Sequence, residues 1–253
     1  MALNFSSGAG IAIIKDDSKG AKKTLYVDNN DEDNEQYFKR FNEFTLTNGK
    51  FQLIPDKTKE RNTCLTVIGP NGVGKSYWIG EYIQIWHKMY PKRPIILISE
   101  KEKDDSIDFS YVKRITINDE LINNPLSLDE FRDIAPCLVI ADDIDSLAGK
   151  LKKSIYTTVD KILKVGRSYG INIITTLHNY NGLETKHILN ECNGIVFFPQ
   201  NWNRGLDYLT SNYMGLSKNE VSIIRKSKGR AVIYLKTYPN IIITERLVFT
   251  VGK

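Results

Sequence analysis

Short apolar runs alternate with longer amphipathic stretches along most of the chain, and this alternation sets the expected elements. Cys64–Ile68, Ile95–Ser99, Val112–Ile117, Cys137–Ala141, Ile171–Leu177 and Ile195–Phe198 are compact β-rich runs that read as strands. After the first run, Trp78, Tyr82, Trp86 and Met89 recur at helical spacing, with Ile79, Ile83 and Ile85 widening the stripe. Leu151, Ile155, Val159 and Ile162 mark a second helix to about Val165, and Gly170 leads into the next strand. Shorter helical stretches are expected at Leu126–Asp133, Leu183–Glu191, Asp207–Met214 and Lys218–Arg225. Gly10–Lys15, Thr24–Asp28 and Phe51–Pro55 predict strands ahead of this alternation, with a polar acidic loop at Asp28–Glu35. Arg230–Thr237 and Ile241–Val251 predict a closing β-hairpin.

Strands alternating with helices imply an α/β fold, a mainly parallel sheet flanked by helices with N-terminal β additions and a C-terminal hairpin. The expected organisation is a β-rich extension, residues 1–50, packed on a core domain of residues 51–253 that ends in a basic helix and hairpin region. A chain of 253 residues with 41% hydrophobic content suits one sizeable domain. No apolar run approaches a membrane span, and MALNFSSGAG lacks the charged-then-apolar order of a signal peptide. Cys64, Cys137 and Cys192 lie in or beside apolar segments without metal-ligand spacing, as reduced core residues of an intracellular, cytoplasmic protein would. The net charge of +5 is unevenly placed: residues 201–253 hold nine basic against three acidic groups, the rest being near balance. That asymmetry points to a polyanion-facing surface, the bland alternative being a solvated basic face.

The stretch VIGPNGVGKSYW carries the most specific chemistry. Gly69, Pro70, Asn71, Gly72, Val73, Gly74, Lys75, Ser76 and Tyr77 follow a strand and open a helix in Walker A spacing. That order aims backbone N–H groups and the helix dipole at one point. Lys75 is expected to reach β- and γ-phosphates and the Ser76 hydroxyl to sit on Mg²⁺. A glycine turn with an incidental lysine leaves this context unexplained.

A second carboxylate cluster lies in CLVIADDID. Asp142, at the end of a buried strand, can hold Mg²⁺ through water, and Asp143 can orient the attacking water. Adjacent acids on a pleated strand point to opposite faces, so the strand must end or twist there. Asp145–Ser146 would instead begin the following helix. In INIITTLHN, His178 is the first choice for a sensor of the γ-phosphate and Asn179 the second. Arg167 closes a lysine-rich helix, where a cation is favourable on dipole grounds alone.

GPNGVGKS, LVIADDID and GRSYGINIITTLHN in succession resemble the FtsK–HerA superfamily of P-loop ATPases, most closely viral genome-packaging ATPases of large and medium-sized DNA viruses. The resemblance runs from about Phe51 to Phe198 and implies an additional-strand, RecA-like (ASCE) P-loop NTPase that uses ATP and Mg²⁺. Residue by residue it implies Lys75 and Ser76 on phosphates and Mg²⁺, Asp142 on Mg²⁺, Asp143 on water and His178 as sensor. Arg167 would be an arginine finger offered to a neighbouring subunit. Two departures stand out: Asp143 replaces the usual catalytic glutamate and His178 the usual sensor glutamine. The implied activity is ATP-driven translocation of double-stranded DNA by a ring, a hexamer or pentamer, with capsid vertex or portal proteins as further partners in the host cell or virion.

Lys150, Lys152, Lys153, Arg225, Lys226, Lys228 and Arg230 are the candidates for phosphate contact with DNA. Trp202, Tyr208 and Tyr213 are candidates for stacking on bases, against the simpler reading as core aromatics. An AAA+ helicase loader would add a helical lid where this chain has β-rich runs. A nucleotide kinase would need an arginine-rich lid, for which RKSKGR could be mistaken, and a GTPase would need a base-reading aspartate that ETKHI lacks. A non-enzymatic module leaves the lysine, serine and paired acids without a purpose.

Overall fold

The computed structural model describes residues 3–4, 9–16, 22–27, 42–46, 62–227, 229–236, 240–245 and 248–251. Four strands come first: β1 (Leu3–Asn4), β2 (Ala9–Asp16), β3 (Lys22–Val27) and β4 (Asn42–Leu46). They form a small sheet ordered β1-β3-β2-β4. β2 and β3 match the sequence expectation and β1 and β4 add to it, whereas the expected strand Phe51–Pro55 and the acidic loop Asp28–Glu35 lie outside the described residues.

The main unit runs β5 (Cys64–Ile68), α1 (Lys75–Met89), β6 (Ile95–Ser99), β7 (Val112–Thr116), α2 (Glu120–Asn123), α3 (Leu128–Asp133) and β8 (Cys137–Ala141). It continues with α4 (Gly149–Tyr169), β9 (Ile171–Leu177), α5 (Leu183–Glu191), β10 (Gly194–Phe197), α6 (Arg204–Asn212) and α7 (Lys218–Lys226). It closes with β11 (Val232–Leu235), β12 (Asn240–Ile243) and β13 (Val248–Val251). One nine-stranded sheet results, ordered β13-β12-β11-β10-β5-β9-β8-β6-β7. Every pairing from β10 to β7 is parallel, and β11 to β13 extend the sheet antiparallel. β9 lies between β5 and β8, so the fold is that of an additional-strand P-loop NTPase, as expected.

The sheet is covered on both faces, which is why its parallel strands are nearly continuous apolar runs. Leu65, Val67, Ile140 and Ile174 pack with Ile79, Tyr82, Ile83 and Trp86 of α1, in a layer that also takes in Leu25 of β3. Ile68, Val139, Ile173 and Ile195 face the other way, toward Ile155, Val159 and Ile162 of α4 and Leu206 and Leu209 of α6. Each such side chain contributes about 1.5–3 kcal/mol on burial.

Several details differ from the sequence expectation. Ile85 is exposed, so the buried stripe of α1 is narrower than its composition suggested. α4 continues past Val165 to Tyr169 and ends at Gly170. α6 starts at Arg204 because the Asn203 side chain accepts from Leu206 N–H and caps it. The run Ile241–Val251 splits into β12 and β13, so the expected hairpin is the first pair of a three-stranded extension. Glu245, in the gap, turns its carboxylate to the Arg230 backbone N–H at 2.6 Å. No helix of the described residues is long and apolar enough to cross a membrane.

Candidate nucleotide site

The site is built at the carboxyl ends of β5, β9, β8 and β6. Gly69 N–H donates to Leu177 O at 3.0 Å, which ties the loop after β5 to the end of β9. Gly72 (φ 77°) and Gly74 (φ 104°) take left-handed conformations that cost other L-residues roughly 1–2 kcal/mol each. Gly74 caps α1 without a side-chain hydrogen bond, and no acidic residue stands in the first turn of that helix. The positive end of α1 is therefore left to an anion from outside the helix.

Lys75 is 8% exposed and folds back over its own loop. Its Nζ donates to Gly69 O at 2.9 Å and Pro70 O at 3.5 Å, and stands 3.7 Å from Asp143 Oδ1. Burial lowers its pKa, against the opposing pull of Asp143 and Asp142.

β8 stops at Ala141, and Asp143 adopts φ 48°. This is the chain's answer to two successive acids: the strand ends, and a left-handed turn brings the second carboxylate back to the first. Asp142, 2% exposed, accepts from Ser99 Oγ at 3.0 Å and Thr176 Oγ1 at 2.9 Å. Thr176 Oγ1 also accepts from the Asp143 backbone N–H at 2.5 Å and lies 3.1 Å from Asp143 Oδ1, so its one proton serves one carboxylate at a time. Burial, then the neighbouring Asp143, pushes the Asp142 carboxyl up. Burial also opposes ionisation of Asp143, but Lys75, Lys101 and His178 outweigh it and hold that carboxyl below its ordinary value.

His178 joins the halves of the site. Its Nδ1 lies 3.1 Å from Lys75 Nζ and its Nε2 2.9 Å from Asp143 Oδ1. An ammonium can only donate, so Nδ1 is the acceptor and Nε2 carries the proton toward Asp143. Asp145 does not begin α4, whose N-cap is Ala148. Its Oδ2 instead accepts from the backbone N–H groups of His178 (2.8 Å) and Asn179 (2.9 Å) and from Asn179 Nδ2 (3.2 Å). Asp145 thus fixes the loop that presents His178, and Asn179 faces Asp145 rather than Lys75.

The structure brings together Lys75, Asp142, Asp143 and His178, with Ser76 in the first turn of α1. It does not bring Arg167 to them. That residue is exposed in the last turn of α4, where Asn62 Nδ2 holds Arg167 O (3.3 Å) and Ile171 O (3.1 Å) just ahead of β5. It lies at the opposite edge of the sheet, one β9 length or ~23 Å away at 3.3 Å per residue. Sequence reasoning missed Ser99, Lys101, Thr176 and the anchoring role of Asp145. Only the polar pair Thr175–Thr176 inside an apolar strand carried a visible signal.

Among the described residues no cluster of three His, Cys, Asp or Glu side chains forms a metal cage. The oxygen donors present, a buried carboxylate and a serine at the start of the phosphate-loop helix, suit Mg²⁺, which keeps waters and phosphate oxygens in its shell.

Both basic clusters lie on the same edge of the sheet as this site. Lys150, Lys152 and Lys153 occupy the start of α4, just after the Asp142–Ser146 turn. Arg230 precedes β11, whose first residue Val232 pairs with Phe197 at the carboxyl end of β10. Arg225, Lys226 and Arg230 are exposed, and Lys228 is outside the described residues. Arg225 is also engaged locally, 2.8 Å from Asp207 Oδ1 and stacked over Trp202, whose Nε1 donates to the same oxygen. Trp202 and Tyr213 are half-buried and Tyr208 is exposed.

No protein-family model matches the chain. Protein V3 of the Sputnik virophage, described as uncharacterized, is 32% identical over 216 residues, 84% of this chain and 86% of its own length. The genome packaging NTPase B204 from Sulfolobus turreted icosahedral virus 2, solved with ATP-gammaS, superposes with a TM-score of 0.52 at 15% identity, covering 74% of this chain and 98% of that one. EssC (ATPases 2 and 3) from Geobacillus thermodenitrificans superposes with a TM-score of 0.51 at 12% identity over 99% of this chain and 47% of that one. These similarities show a shared fold, and they agree with the resemblance drawn from the sequence motifs.

Proposed function

Given that the chain belongs to the family of the Sputnik virophage protein V3, we propose that it is a Mg²⁺-dependent ATPase that moves double-stranded DNA as a ring, in viral genome packaging. The observation that carries the ATPase reading is the convergence of Lys75, Asp142, Asp143 and His178 at the end of a phosphate loop. Lys75 would swing from the loop carbonyls to the phosphates, and Asp143 would orient the water attacking the γ-phosphate. His178, bonded to both, would report the terminal phosphate by losing one of these partners. Asp142 and Ser76 would hold Mg²⁺, which supplies positive charge to the phosphates.

The DNA reading draws on the two basic clusters at the carboxyl edge. Lys150, Lys152 and Lys153 stand at the start of α4, whose first turn holds no acidic residue and where the helix dipole disfavours cations. A polyanion bound there would offset that cost. In this reading residues 1–50 are an extension of the ATPase domain, residues 51–253, and capsid vertex or portal proteins are the natural partners of the ring. The likeness in fold to B204, a genome packaging NTPase, supports the packaging reading.

The test is ATP turnover with and without double-stranded DNA, with native mass measured in parallel. Stimulation by DNA in a pentamer- or hexamer-sized species is expected. Transfer of phosphate to a small nucleotide, unaffected by DNA, would favour a kinase instead.

A further inference from the structure

Lys101 is outside every motif of the sequence, yet it stands on both acids of the site. Its Nζ lies 3.1 Å from Asp143 Oδ2, 3.7 Å from Asp142 Oδ2 and 3.9 Å from Asp104 Oδ2. Its side chain is 46% exposed, so it reaches the carboxylates from the open mouth, whereas Lys75, at 8%, reaches them from inside the loop.

The segment that carries it is braced at several points. Lys101 N–H donates to Ser99 Oγ at 3.2 Å, and that hydroxyl donates in turn to Asp142. Arg114 of β7 donates to Lys101 O at 2.5 Å and grips Asp108 Oδ1 through Nε (2.9 Å) and Nη2 (2.6 Å). Asp108 accepts from Asp104 N–H at 2.6 Å, and Asp104 from Ser106 N–H at 3.0 Å, closing a tight turn. The turn sits on α1: Ile107 is fully buried, and a Cβ at Gly80 would lie 2.2 Å from Ser106 O. Lys101 is thereby held by its backbone against β6, β7 and the phosphate-loop helix, and only its side chain is free to swing.

We propose that Lys101 is a further substrate-contacting residue, its ammonium passing from Asp143 to the terminal phosphate of ATP bound in the same subunit. The inference rests on the ATPase reading above. Two ammonium groups (Lys75 and Lys101) face two carboxylates (Asp142 and Asp143) in the site. In that reading the terminal phosphate lies beside Lys75 and next to the water that Asp143 orients. It is then the new anion within reach of a side chain already on Asp143. Lys101 makes no covalent bond and gives up no proton; it contributes charge and hydrogen bonds to the phosphate and to the negative charge that develops on it. ADP lacks the group that Lys101 contacts, so the residue distinguishes the two nucleotides.

The variant Lys101→Met keeps the length of the stem and removes the charge. Calorimetric titration with a non-hydrolysable ATP analogue and with ADP, each with Mg²⁺, reads the contact directly. Affinity for the analogue is expected to fall about ten-fold or more, the worth of a charge-assisted hydrogen bond. ADP affinity is expected to stay unchanged, which also certifies the fold, and Lys101→Arg should recover part of the loss. An equal loss for both nucleotides, or none for either, overturns the proposal and leaves Lys101 as a counter-ion of Asp143. Lys75→Ala is titrated alongside: if it binds both nucleotides as well as wild type does, the ATPase reading itself is wrong and the proposal falls with it.

Discussion

Opposing requirements meet at Asp143. In the proposed reaction it must stay ionised to orient a water, although burial works against its charge, and three groups hold it ionised: Lys75, Lys101 and His178. Replacing it with asparagine keeps the shape and removes the charge. Asp143→Asn is expected to bind nucleotide while turnover falls by about 10²–10⁴, the usual worth of a positioned base; loss of binding would instead assign Asp143 to the metal. The same residue shapes the response to acid. Its folded pKa lies below the unfolded value of about 3.9, so its contribution to stability is complete above that value and is lost as pH falls through the depressed one. Chemical denaturation of Asp143→Asn across pH 2–6, about two units either side of that reference, should show a flatter acid limb than wild type.

At the scale of elements, the contact between α1 and the 104–108 turn is the joint that positions two sides of the site together. Gly80→Ala introduces a Cβ where Ser106 O already stands. Despite alanine's better helix propensity, this variant is expected to lose about 1–3 kcal/mol of stability through overpacking, measured by denaturant unfolding. This joint was not legible in the sequence. EKEKDDSID is a charged stretch between two strands, and the pairing of its Lys101 with Asp142 and Asp143 exists only once β6 and β8 lie side by side. The strands that needed no such closure were legible to the residue: Cys64–Ile68, Ile95–Ser99 and Cys137–Ala141 are apolar because both sheet faces are covered. α2 buries no residue, so no periodic stripe announced it. The phosphate loop was visible because its chemistry is local, whereas Thr176 and Asp145 act across the sheet, 33 and 34 residues from their partners.

For the whole molecule, the position of Arg167 decides how it could act. It lies a full strand length from Asp143 in its own chain, so a role in catalysis requires a neighbour whose site it meets. Mixing Arg167→Ala subunits into wild type at constant total protein is therefore expected to depress ATP turnover more steeply than dilution alone. A strictly proportional decline would make Arg167 a helix-end cation and nothing more. The basic clusters and the nucleotide site share one edge of the sheet, while Arg167 marks the other. In the proposed ring this polarity would let each subunit offer one edge to its own nucleotide and DNA and the opposite edge to the next subunit.

The left-handed turn at Asp143 also limits how the chain can drift in sequence. Aspartate and asparagine visit φ 48° more readily than other non-glycine residues. A glutamate there would bring the longer side chain of the superfamily that the sequence motifs resemble but would strain the turn that aims it. The shorter acid is thus the one this backbone accepts, and His178 closes the remaining distance to it. An engineered exchange toward glutamate at 143 would need a relaxed turn before any gain in reach could be felt.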